Sequence, residues 1–134
     1  MNRIRMQSTF QSIVVAFAAL LLAACAGMGM MQTPAKVSDG VLTNQAGMTL
    51  YTFDKDTSGS GKSVCNGPCA VLWPAFTVAG ETGASGDWTV ATRDDGAKQW
   101  AYKGKPLYTF SRDAKPGDRT GDGYNNNIWH MAKS

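Results

Sequence analysis

From residue 41 onward, short strand-like runs of apolar and polar residues are separated by glycine-containing turns and polar loops. The pattern also returns on itself. Leu50-Tyr51-Thr52-Phe53-Asp54-Lys55-Asp56 is repeated as Leu107-Tyr108-Thr109-Phe110-Ser111-Arg112-Asp113, with five of seven positions identical. Self-similarity of this kind marks a duplicated supersecondary unit. Strand-like runs at 41–44 and 48–53 flank Gln45-Ala46-Gly47 and predict a first hairpin. Runs at 88–92 and 97–102 flank Arg93-Asp94-Asp95-Gly96 and predict a second. A third joins 99–102 to 106–110 through Lys103-Gly104-Lys105 and aligns with the first, Gly104 on Gly47 and Leu107 on Leu50. Residues 128–132 close the chain as a last strand. Past the leader, helical periodicity is confined to 68–73, where Gly67-Pro68 starts a single turn and Pro74 ends it.

The expected fold is therefore mostly β. A single small domain over 38–134 is built from two related hairpin-containing repeats, about 41–78 and 98–134, with one short helical turn. In a strand, Tyr and Phe two apart share a face, while Leu and Thr take the other. Each half also brings back a Trp after its loop, Trp73 in the first and Trp129 in the second. Those Trp rings are expected to pack on the Tyr-Phe stripes of one shared aromatic core, joined by Trp88 and Trp100 of the middle hairpin.

The amino terminus obeys a different pattern. Arg3 and Arg5 precede an unbroken apolar run over 13–22, which is short for a bilayer span. It has the layout of a secretory signal helix. Leu22-Ala23-Ala24-Cys25 resembles the lipobox of bacterial lipoproteins. That resemblance implies a signal peptide over 1–24, cleavage before Cys25 and acylation of the cysteine. Acyl chains contribute about 0.8 kcal/mol per buried CH₂ and would anchor the protein to a membrane. Ala26, where Asp would favour inner-membrane retention, implies the outer membrane facing the periplasm. Cleavage at Ala24 by an ordinary signal peptidase, leaving Cys25 free, is the alternative. Residues 25–37 have no periodicity and read as a flexible tether. Its Met28, Met30 and Met31 offer soft sulfur for copper(I), or serve merely as spacer.

Charge and cysteine count narrow the function classes. Of 13 Lys and Arg, Arg3 and Arg5 precede Cys25, which leaves 11 against 10 Asp and Glu. No basic cluster suggests nucleic acid. Three cysteines leave one over in an exported protein, and lipidation of Cys25 would take it. Cys65 and Cys69 then favour a disulfide in an oxidising compartment. Thiol redox chemistry and copper or zinc binding remain alternatives for the pair, although the βαβ setting of redox dithiols is missing.

Tyr51, Phe53, Asp56 and their repeats Tyr108, Phe110, Asp113 form a Tyr-x-Phe-x-x-Asp phrase. With Cys65-Asn66-Gly67-Pro68-Cys69-Ala70-Val71-Leu72-Trp73-Pro74 and the Leu-Ala-Ala-Cys segment, the phrase resembles that of bacterial secreted-repeat lipoproteins, a family of unassigned role. The resemblance implies location and repeat architecture and carries no catalytic residue. Asp56 and Asp113 could act as an acid/base pair or share a cation. They could instead accept backbone N–H groups of the following loop, the expected role. His130, the single histidine, is expected on a polar strand surface, with metal ligation together with Met131 or the cysteines as the rival reading. Residues 113–127 are rich in Asp, Asn and Gly but lack the calcium-loop spacing. They read as a long ordered loop, or as a binding loop with Tyr124 at its tip, with calcium binding as the rival. Gly61-Lys62-Ser63 lacks the strand-to-helix setting of a phosphate loop, and no Gly-x-Ser-x-Gly elbow is present. The expectation is a lipid-anchored, non-catalytic binding or structural module without cofactor or metal. Its expected partner surface is the membrane, its protein or small-ligand partner is open, and periplasmic metal handling or thiol redox through Cys65 and Cys69 are the rivals.

Overall fold

The structure is a computed structural model and describes residues 33–80 and 85–134. Seven short strands and two helical turns lie in the order β1 (Lys36–Ser38), β2 (Val41–Thr43), β3 (Tyr51–Phe53), α1 (Pro68–Leu72), β4 (Trp88–Thr92), β5 (Lys98–Tyr102), β6 (Lys105–Pro106), α2 (Tyr124–Asn127) and β7 (Trp129–Met131). They form three small antiparallel sheets, β1-β2, β3-β7 and β4-β5-β6. The fold is mostly β, as the strand-like runs predicted. The signal peptide expected over 1–24 and the expected lipidation site Cys25 lie outside the described residues.

The three expected hairpins are present but tighter than the sequence suggested. In the first, Asn44 Oδ1 accepts the N–H groups of Ala46 and Met48, both at 3.0 Å, and the strands touch only at the Thr43–Thr49 bridge. The middle hairpin pairs Trp88 with Tyr102 through Thr92 with Lys98. The third pairs β5 with two residues only, Lys105 and Pro106. Residues 108–110 do not continue it as a ladder; Tyr108 instead bridges both Tyr51 and Ala75. At the other end, β1 occupies Lys36–Ser38, where a tether was expected, and pairs with β2 through a Ser38–Val41 turn. The short strand KVS is too small to show a period, which is why composition hid it.

Backbone bonding weaves the two halves together. Tyr51 and Tyr108, equivalent residues of the two repeats, exchange N–H···O=C bonds of 2.8 and 3.0 Å. Two rings of three bonds flank this pair. In one, Leu42 N–H donates to Ala132, Ala132 to Leu50 and Leu50 to Leu42, at 2.8–2.9 Å. In the other, Trp100 donates to Phe76, Phe76 to Leu107 and Leu107 to Trp100, at 2.8–2.9 Å. Each ring takes two residues from one repeat and one from the other. Every buried amide at these corners is thereby satisfied without a long ladder.

Strand alternation sorts the side chains as expected, but into two clusters rather than one. Tyr51, Phe53, Tyr108, Phe110, Trp73 and Trp129 pack together. Leu42, Leu50, Leu107, Trp88 and Trp100 fill the second cluster. The placement of Trp88 and Trp100 in the shared aromatic core is therefore corrected. Leu50 and Leu107 point opposite to their Tyr neighbours, and the middle hairpin covers that other side. In the aromatic cluster Trp73 and Trp129 stack at 3.8 Å and 3°, and Phe53 stacks on Trp129 at 4.2 Å. Each such pair adds about 0.5–1.5 kcal/mol beyond the area it buries.

Candidate functional site

The repeat phrase does not close on itself; it closes on its partner. Tyr51 Oη donates to Asp113 Oδ2 at 2.6 Å, and Tyr108 Oη donates to Asp56 Oδ2. Each tyrosine thus bonds the aspartate of the other repeat. The second oxygen of each carboxylate serves the local role that the sequence suggested. Asp56 Oδ1 accepts Val64 N–H at 2.8 Å, and Asp113 Oδ1 accepts the amide and hydroxyl of Thr120 at 3.0 and 2.5 Å. Asp56 and Asp113 are 7 and 8% exposed, and both tyrosines are fully buried. Neither carboxylate pairs with the other, so the acid/base pair weighed above is not assembled.

The Tyr108–Asp56 contact is extended by a polar chain that the Tyr51–Asp113 contact lacks. Ser63 Oγ accepts Cys65 N–H at 3.2 Å and an Arg93 Nη1 hydrogen at 3.0 Å, which fills its lone pairs. Its own proton then goes to Tyr108 Oη, 2.6 Å away, and Tyr108 passes its proton to Asp56. Arg93 also donates to Gln99 Oε1 at 2.7 Å and to the Cys65 carbonyl at 2.5 Å. Gln99 in turn donates to the Leu107 carbonyl. No local pattern pointed to the role of Arg93. Arg93 stands at the head of a turn, where a solvated charge is the default, yet it is 6% exposed.

Burial dominates the proton affinities here. It pushes both the Tyr51 and Tyr108 phenols far above their ordinary value of 10, and the bonded carboxylates Asp113 and Asp56 add to the effect. Burial also raises Asp56, against the opposing hydrogen bonds from Tyr108 and Val64 and the Arg93 charge.

Cys65 and Cys69 form a disulfide with Cα atoms 5.2 Å apart. It brackets the start of α1, whose Trp73 N–H caps back to the Cys69 carbonyl at 2.8 Å. The equivalent stretch of the second repeat has Gly121 and Asn125 instead. Gly121 is held close against the aromatic cluster, and a Cβ there would lie 2.6 Å from Trp73 Cη2. α2 is a left-handed turn, with Asn125, Asn126 and Asn127 at φ 52, 57 and 65°. Asparagine tolerates that region better than other side-chain-bearing residues. Tyr124 is not a free loop tip. It packs on Phe110 at 5.2 Å and on Trp73 at 5.7 Å.

His130 Nε2 lies 2.8 Å from Asp54 Oδ2 on a half-open surface, as expected for a polar strand face. Among the described residues no three His, Cys, Asp or Glu side chains group as metal ligands. Met28, Met30 and Met31 lie outside those residues. Beside His130 opens a cleft of about 510 Å³. Its floor and rim include Thr52, Tyr102, Met131 and Ala132, and Lys103, Lys105 and Lys133 border it. Asp122, the acidic residue of the lining, has its Oδ1 on the Met131 amide at 3.2 Å.

The geometry defines a class: a duplicated, mostly β domain whose repeats exchange their motif contacts. The chain belongs to a family described as a secreted repeat of unknown function, whose model matches it twice, at residues 33–77 and 89–133. The first match begins ahead of β1, so the repeat includes the strand that was expected to be tether. No curated protein and no solved structure matches the chain. Among the described residues no helix is long and apolar enough to cross a membrane.

Proposed function

We propose that the protein is an envelope lipoprotein: a non-catalytic β module held on the periplasmic face of the outer membrane by acyl groups on Cys25. The observation that carries this reading is Leu22-Ala23-Ala24-Cys25 directly after the apolar run over 13–22. Membership of a secreted-repeat family supports export. The state of the reactive groups supports the non-catalytic part. The phrase tyrosines and aspartates are spent on joining the repeats. Ser63, which bonds Tyr108 and reaches Asp56 only through it, is 3% exposed, with its hydroxyl committed to that network. Cys65 is fully buried in its disulfide, which supports a structural rather than a redox use.

The test is intact-mass analysis of protein extracted from outer membranes with detergent. The expected species starts at Cys25 and carries diacylglycerol plus an N-acyl chain, and Cys25→Ala shifts the protein to the soluble periplasmic fraction. A chain that retains residues 1–24, or one that starts at Cys25 without lipid, contradicts the reading.

A further inference from the structure

We propose that the cleft beside β7 binds a small ligand bearing a phosphate or carboxylate group, and that its lysines are present for that ligand rather than for the fold. The inference rests on reading the domain as a binding module, and it names the ligand class.

The duplication supplies an internal control. The two halves share the bonding of their three-bond rings, so the residue at the matching position of the other half shows what the fold accepts there. At the charged positions of the cleft the other half carries neutral residues. With Gly104 on Gly47, Lys103 falls on Ala46 and Lys105 on Met48. With Trp129 on Trp73, His130 falls on Pro74 and Lys133 on Thr77. Thr52, in contrast, matches Thr109. The first half therefore builds the same corner from neutral residues, and three lysines and a histidine have been placed on the second.

Their surroundings favour an anion. Chain-wide, excluding the leader arginines, 11 cationic side chains face 10 acidic ones. The cleft draws three of those cations to one acid, Asp122. Asp122 has one oxygen on the Met131 amide, and His130 is engaged by Asp54 from outside the lining. Lys105 and Lys133 pair through their backbones, and among the described residues their ammonium groups make no hydrogen bond or ion pair. Lys103 rests its ammonium 5.2 Å from the Tyr102 ring centre. A concave site with an excess of one sign of charge focuses its field on a counter-ion. A volume of about 510 Å³ lies in the range of small-molecule sites, and Thr52 and Asn127 can meet ligand hydroxyls at its wall.

Calorimetry on the full mature protein in neutral detergent tests the site, with glucose 6-phosphate, glucuronate and glucose as probes. Either anion should bind and glucose should not; the tighter of the two anions identifies the ligand group as phosphate or carboxylate. Lys105→Met with Lys133→Thr installs the residues of the other half. It should lower affinity by about tenfold or more while the melting temperature stays unchanged. Lys55→Ala with Lys62→Ala, outside the cleft, should leave affinity as it was. Amide shifts induced by the anion on the unmodified protein should map to residues 103–105 and 130–133, a readout that needs no variant to fold. Absence of anion binding at 10 mM, equal binding of glucose, or shifts elsewhere overturns the proposal. Such a failure in protein that carries its N-terminal lipid ends the site and leaves the anchoring intact.

Discussion

At the residue scale, the phrase tyrosines are the most informative groups. Tyr51 and Tyr108 are neutral donors to buried carboxylates, and burial raises both phenols far above 10. A raised folded value means that the folded state holds its proton where the unfolded chain has lost it. The contribution of each tyrosine is complete below pH 10 and falls as the pH climbs toward the folded value, by about 1.4 kcal/mol per pH unit per phenol. Alkaline titration followed by phenolate absorbance should show two of the four tyrosines ionising only together with loss of near-ultraviolet circular dichroism. Asp56 acts at the other end of the scale. Its raised folded value favours the folded state below the ordinary carboxylate range, and that benefit is lost as the pH rises through the folded value. Gly121 is a second sensitive residue. A methyl there would meet Trp73 Cη2 at 2.6 Å and Tyr51 Cε1 at 3.0 Å, neither of which is the end of a flexible chain. Gly121→Ala should cost about 1–3 kcal/mol in denaturant unfolding, the usual range for overpacking.

At the element scale, the disulfide and α1 are one device. The ring closed by Cys65 and Cys69 is small, so the chain-entropy model gives it about 2 kcal/mol. Replacing both cysteines by alanine should lower stability by about that amount. It should raise hydrogen exchange at α1 and Trp73 first, while the β4-β5 hairpin keeps its protection. The first and third hairpins show how much of the elements was legible. Their turn residues and strand-like runs were visible in the sequence, because Gly47 and Gly104 mark reversals and short runs between turns mark strands. The extent of pairing was not visible. Thr43 and Thr49 make a single bridge, and Leu50 then bends away to join Ala132 of the other repeat. β1 escaped because three residues cannot show a period, and the left-handed turn over Tyr124–Asn127 escaped because an Asn-rich run reads equally well as loop. Arg93 escaped for a different reason: a long cation in a turn is buried only when a distant chain, here Ser63 and Cys65, offers acceptors.

At the scale of the whole molecule, the duplication was plain in the sequence, and so was the Trp packing on the Tyr-Phe stripes. The exchange between halves was not. A phrase with its Tyr and Asp five residues apart invites a contact inside each repeat, and nothing in local spacing says that the aspartate serves the other one. The exchange has a thermodynamic consequence: neither half closes its own core, so the two unfold as one unit. Each three-bond ring, the β3-β7 sheet and the Trp73–Trp129 stack all span the repeats. The lysine-bordered cleft likewise takes its walls from both halves, with Thr52 from the first and His130 and Lys133 from the second. The most direct measurement of this arrangement is a pair of double-mutant cycles in denaturant unfolding. Tyr51→Phe combined with Asp113→Ala should show a coupling energy of about 1–3 kcal/mol, and Tyr51→Phe combined with Asp56→Ala should be additive within about 0.5 kcal/mol. Coupling inside the repeat, with additivity across it, would contradict the exchanged architecture.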